Sequence, residues 1–402
     1  MRAYWPNRVI PNPRKSLFQK IDRVDIVDRY TVRVSMKAPE AGLLDAMAYL
    51  GSFLAIVPKD EVERQGGVLK DPVGTGPYKF VEWKPDRYVL LERFPDYKPQ
   101  PGPMNGVGGE RIAYFDRIKW IPIPEESAAT MAFLNKEIDF LYFVPFKNIE
   151  MFRNNYSKQG VVVDESPGLS WYGIFLGCDK PITSDLKFRQ ACAYAIDREV
   201  VTKGATRGHA TVNSSVVATA TQYYTPAHKK WYKKDLQKAK ELLKESSYKG
   251  EELPFLTTRK YAMMYDQSLV AQSELAAIGI KTKLEVLEWP LLVDRLFTGK
   301  FQMISYGMSA RPDPAIAYDN LKNTGLDKQY PRFLGILEEA TKTMDYEKRK
   351  RLFEEAHGLV YAGVPTIICF NYNIYNGYWS HIKGFKIWAT NQPRFWGVWS
   401  DK

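Results

Sequence analysis

Apolar and polar residues alternate through Ile21–Pro39 (IDRVDIVDRYTVRVSMKAP), the two-residue period of paired β-strands. Leu43–Val57 reads as an apolar helix followed by a buried strand, and Pro58–Gly67 as a short helix and turn. The Gly/Pro-built turn in Asp71–Trp83 then feeds a strand that pairs with a second at Tyr88–Phe94. A Pro/Gly-rich surface loop at 98–110 follows. The pattern then predicts strands at Arg117–Pro122, Ile138–Phe143, Gly160–Glu165 and Trp171–Leu176, with helices at Glu125–Lys136 and Lys147–Asn155 between them. Thr183–Thr202 carries Leu186, Phe188, Ala191, Tyr194, Ala195 and Ile196 at helical spacing behind Thr/Ser/Asp caps, and predicts one helix. Further helices are expected at Lys234–Glu245, Tyr265–Ile278, Pro290–Thr298 and Tyr346–Ala362, and strands at Lys281–Glu288, Met303–Met308 and Thr366–Tyr372. The mixture is α/β, and 402 residues exceed one ordinary domain, so two lobes are expected.

Charge changes this picture little. The chain carries 57 Lys+Arg against 46 Asp+Glu, a net +11. The densest basic runs, 228–234 and 238–249, are interspersed with Glu and read as a solvated helix face rather than a phosphate-binding stripe. No apolar run approaches the ~20 residues of a membrane span. Cys178, Cys192 and Cys369 are too few and too scattered for a metal site and allow at most one disulfide. The first residues, MRAYWPNRVIPNPRKS, hold four basic side chains but no apolar export segment; taken literally, such a start keeps a chain in the cytoplasm.

Gly74-Thr-Gly76 lacks the Gly-Lys-Ser/Thr ending of a phosphate loop, and is expected to serve a tight turn with positive backbone angles. His209, His228, His357 and His381 show no i, i+4 pairing or nearby carboxylate cluster, so no metal is expected. No nucleophile elbow or Ser/His/Asp set is visible, and no enzyme and no cofactor are predicted.

Three segments together resemble the peptide/nickel family of extracytoplasmic solute-binding proteins of ABC importers, which includes the oligopeptide and dipeptide receptors. They are Val24–Val32 (similar to the family's strand pair), Asp71–Trp83 (similar to P-x-G-T-G-P-Y-x-x-x-x-W) and Asp185–Glu199 (similar to D-x-x-x-R-x-A-x-x-x-A-I-D-R). Ala239–Leu243 and Gly279–Leu287 fall at fitting intervals. The resemblance implies a two-lobed, class II-like clamp with mixed sheets flanked by helices, whose ligand binds between lobes and which delivers it to permease subunits in the membrane. It implies a monomer in the periplasm or another extracytoplasmic space, with no nucleic-acid partner. By the same resemblance, residues 1–36 are the remnant of an N-terminal subdomain and hinge, 37–177 plus 384–402 form lobe I, and 178–383 form lobe II. The first lobe is then expected to be N-terminally incomplete.

Site residues follow from the same likeness. Arg259-Lys260-Tyr261 looks like the Arg-x-Tyr of dipeptide receptors, in which the guanidinium grips a ligand carboxylate through two parallel N–H bonds. Its alternative is a solvated loop arginine. Ser309–Pro314 (SARPDP) resembles a loop whose first Asp receives the peptide's amino group. Ala310 stands there instead, with Arg311 beside it, which favours a ligand bearing an extra carboxylate, phosphate or polyol. Asp313 reads as a turn or helix-cap residue. Trp171 and Tyr172 match an aromatic position of the family's cleft, and Tyr306 is a second aromatic candidate; buried core aromatics are the alternative. The ligand class implied is a peptide or peptide-like solute, with an opine-like conjugate or an oligosaccharide as alternatives.

Overall fold

The computed structural model describes residues 19–48, 56–66 and 69–402. The buried strand expected before Val57 falls largely outside them. Two compact units emerge, one drawn from Met47–Ser166 and Ile374–Lys402, the other from Lys20–Ala46 and Pro167–Asn373. Two long strands, Val161–Leu176 and Thr366–Trp379, carry the chain from one unit to the other.

In the first unit the predicted hairpin forms as Tyr78–Lys84 against Tyr88–Arg93, and Arg117–Trp120 adds a third antiparallel strand. Neither Gly74 nor Gly76 has a positive φ, and a methyl group on either would meet nothing within 4 Å. The turn before this hairpin therefore does not rely on the backbone freedom of those glycines. The helix Glu126–Leu134 packs Phe133 into a cluster with Leu141, Val144, Ile149, Phe152, Tyr375 and Trp379. Near the C-terminus, Phe395 meets Trp120 and Phe140 edge-on, with ring centroids 5.3 and 5.0 Å apart.

The second unit is built on a mixed sheet. Lys281–Val286, Glu252–Thr257 and Met303–Met308 run parallel in that order, and the last pairs antiparallel with Trp171–Leu176. Thr366–Asn373 follows, with Ala210–Val212 antiparallel to it. Trp171–Leu176 is buried throughout, as a near-continuous apolar run in a sheet interior should be. Lys281–Val286, with lysines at its first and third positions, takes the sheet margin, where exposed charge discourages further strand pairing.

Two sequence expectations change here. The separate strands at 160–165 and 171–176 are one strand of 16 residues, continuous through Ser166-Pro167-Gly168. The single helix expected over 183–202 is two, Leu186–Ala195 and Arg198–Thr206, because Ile196 and Asp197 are extended. Asp185 caps the first by accepting from the Lys187 N–H at 2.8 Å, and Asp197 caps the second through the N–H groups of Glu199 and Val200. Arg189 of the same motif is wholly buried. Its guanidinium donates to the carbonyls of Gly363, Thr183 and Ser184 and to Gln329 Oε1, all within 2.7–2.9 Å. The motif thus fastens one helix to the ends of two others and to the turn that precedes it. All three cysteines are free, buried thiols.

Candidate functional site

Parallel strands align their carboxyl ends, and the loops leaving those ends gather at one edge of the sheet. The three parallel strands of the second unit release Arg259 and Tyr261 after Thr257, Trp289 after Val286, and Arg311 after Met308. The neighbouring antiparallel strand begins its buried run at this edge, since Trp171 pairs with Met308, Tyr172 with Gly307 and Gly173 with Tyr306. Sheet topology alone therefore brings all six predicted residues to one edge.

Their side chains divide into groups. Tyr306 is buried and stacked on the Trp289 indole (centroids 5.4 Å, 20°), and Tyr261 meets the same indole edge-on at 4.9 Å. Tyr172 is buried against Phe370, with rings nearly parallel at 5.0 Å. Burial raises the Tyr172 phenol well above its ordinary range, and the phenols of Tyr261 and Tyr306 add to the shift. Tyr306 is raised likewise, by burial first and Tyr261 second, with the Arg311 guanidinium opposing. Tyr172 and Tyr306 are consequently neutral hydrogen-bonding groups through the physiological range, and the positive charge felt at Tyr306 is that of Arg311.

Arg311 folds along its own loop, Nη1 donating to Ser309 Oγ and the Ala310 carbonyl at 2.8 Å. Arg259 lies at the rim instead: its guanidinium sits 4.6 Å over the Tyr265 ring and donates to that phenol at 3.0 Å. Trp171, 1% exposed, stacks on Phe175, and its indole N–H has no hydrogen-bond partner among the described residues. Phe175 in turn meets Tyr306 edge-on at 6.5 Å. Ring contacts thus join Tyr261 to Tyr306 through Trp289 and Trp171 to Tyr306 through Phe175, while Tyr172 and Arg311 are tied to this group by electrostatics and Arg259 packs apart on Tyr265.

Sequence reasoning passed over Trp289 because its expected helix began at Pro290; the helix is Trp289–Phe297, so the indole stands on its first turn. Asp313 is a helix cap, accepting from the Ala315 N–H at 2.9 Å. Reasoning also passed over its partner, Arg349, which is 3% exposed and donates Nη2 to both Asp313 oxygens at 2.9 and 3.0 Å. The visible signal was a charge on an apolar helix stripe, since Arg349, Leu352, Phe353, Ala356 and Val360 recur at helical spacing. Among the described residues no group of three or more His, Cys, Asp or Glu is placed to hold a metal ion.

Residues 4–329 match the family described as bacterial extracellular solute-binding proteins, family 5 Middle. The chain is 26% identical over 395 residues to the glutathione-binding protein GsiB of Salmonella paratyphi A, covering 93% of this chain and 73% of that protein. Among solved structures, the periplasmic binding protein DppA of Helicobacter pylori, in complex with the peptide STSA, superimposes with a TM-score of 0.77 at 26% identity, covering all of this chain and 78% of that one. The protein AppA of Clostridium difficile, with a TM-score of 0.81 at 20% identity over 97% of this chain and 81% of that one, shares the fold. Among the described residues no helix is long and apolar enough to cross a membrane.

Proposed function

This chain belongs to the bacterial extracellular solute-binding proteins of family 5, and we propose that it is the extracytoplasmic receptor of an ABC importer, capturing a peptide or peptide-like solute for the membrane permease. The observation that carries the ligand class is the site edge of the second unit. Its two buried phenols stay neutral, and the Arg311 guanidinium acts on the Tyr306 phenol. Phenols donate to carbonyl and carboxylate oxygens, and a guanidinium pairs with a carboxylate through two N–H groups. Stacked Tyr306, Trp289 and Tyr261 offer ring surface to the solute's apolar parts. Arg259 at the rim is a second carboxylate partner once it leaves Tyr265, and Trp171 behind Phe175 holds a donor that no described residue accepts from.

Capture needs no covalent step, and we assign no catalytic residue. Relatives named for glutathione and for a bound peptide support the solute class. The receptor acts as a monomer, and its permease contact reads the ligand-bound state.

The test is a thermal-shift and calorimetric screen against glutathione, di- and tripeptides, an opine and an oligosaccharide. A ligand at about 100 times its Kd stabilises by about 2.7 kcal/mol. The expected result is a rise in midpoint with a carboxylate-bearing peptide, weakened by Arg311→Ala and by Arg259→Ala with the fold intact. Unchanged affinity in both variants would remove the site assignment; no response to any peptide would remove the ligand class.

A further inference from the structure

Asp313 and Arg349 form an ion pair shut away from water, with exposures of 2% and 3%. Every nitrogen of the guanidinium donates: Nη2 to both Asp313 oxygens, Nη1 to the Tyr223 phenol at 2.7 Å, and Nε to the Ala340 carbonyl at 2.9 Å. The Tyr223 and Phe353 rings flank it at 5.4 and 5.3 Å. The carboxylate is held from a second side too, since Oδ1 also accepts from the Ala315 N–H. Residues 42–45 close the remaining side. A methyl group on Gly42 would collide with Asp313 Oδ2, and burial together with the Asp313 charge raises the carboxyl of Asp45.

A buried pair of this kind adds little net stability compared with well-packed apolar residues, because desolvating both charges offsets their attraction. What it does supply is one fixed geometry. That geometry is imposed two residues from Arg311, across Pro312, whose ring fixes its own φ. The loop is thus held at its start by the Ser309 and Ala310 contacts of Arg311, and at its end by Arg349.

We infer that Arg349 is a positioning residue: through Asp313 it sets where Arg311 presents its charge beside Tyr306, and so sets the preference for an acidic group on the solute. This rests on the proposed role of Arg311. Three changes disturb the clamp differently. Arg349→Lys keeps the charge and loses the fork. Gly42→Ala keeps both charges and pushes Asp313 aside. The double variant Asp313→Asn with Arg349→Met removes both charges together and so avoids a stranded ion.

The probes are N-succinyl-trialanine and trialanine, which differ in the charge at the peptide's N-terminal end, titrated calorimetrically well below each variant's melting midpoint. The expected result is a loss of about tenfold in the affinity ratio of acidic over free-amine probe in all three, the range of coupling through packed networks. Adding Arg311→Ala to Arg349→Lys should produce no further loss of that ratio. Lower melting midpoints with an unchanged ratio would reduce the pair to a structural role and overturn the inference. If Arg311→Ala alone leaves the ratio unchanged, the site reading falls, and the inference with it; if Arg311→Ala lowers the ratio and the clamp variants do not, only the inference falls.

Discussion

Gly307→Ala is the sharpest test of the packing that builds the site edge. Gly307 lies opposite Tyr172 in the sheet register, and the tyrosine ring leans over it while stacking on Phe370. A methyl group at 307 would lie 2.6 Å from Cδ1 and Cζ of Tyr172 and closer still to Cε1. Carbon atoms rest at about 3.5–4.0 Å, so the ring must retreat by roughly 1 Å or more. Phe370 is 0% exposed, which leaves the ring no open space on that side. Overpacking of this kind costs about 1–3 kcal/mol, against a gain of at most about 1 kcal/mol from stiffening the unfolded chain, so the net sign is destabilising. Moving the Tyr172 phenol should also weaken peptide binding by about tenfold, or about 1.4 kcal/mol. Urea denaturation reads the first effect as a lower midpoint at unchanged slope, and calorimetry reads the second. Adding Tyr172→Val should recover part of the stability, because it removes the atoms in collision, while leaving binding weak. A variant as stable as the parent, with the same affinity, would refute the argument that Gly307 is there to seat Tyr172.

Two other consequences concern the frame. His228 and His357 lie buried with rings 5.3 Å apart, and burial lowers both to about 4 from an ordinary 6.5. Between those values the unfolded chain binds more protons than the folded one, so stability rises with pH from about 4 to 6.5 and levels off above. Each histidine contributes a slope of up to about 1.4 kcal/mol per pH unit. His357→Gln should remove its share in acid denaturation curves; an unaltered curve would contradict it. Arg189→Lys should cost about 2–4 kcal/mol, because an ammonium cannot reach the four acceptors now held. Peptide affinity below the melting range should not change, since none of those acceptors belongs to the candidate site.

What the sequence determined by itself is what depends on neighbours along the chain. Strand alternation at Ile21–Met36, the hairpin at Tyr78–Arg93 and the Asp caps at 185 and 313 are local events, decided by side chains within a few residues of the backbone they serve. The family likeness was legible for the same reason, since its motifs are caps, turns and strand ends. Tertiary structure decided the rest. Pro167 and Gly168 suggest a break, yet strands from elsewhere in the chain pair alongside and the strand runs through them. The stack of Tyr261, Trp289 and Tyr306 joins three strand ends that only parallel pairing sets side by side. Arg349 meets Asp313 across 36 residues, where no local period indicates that one will enclose the other. Folding brings such groups within hydrogen-bond distance and removes the water between them, and both conditions belong to the packed molecule rather than to the string of residues.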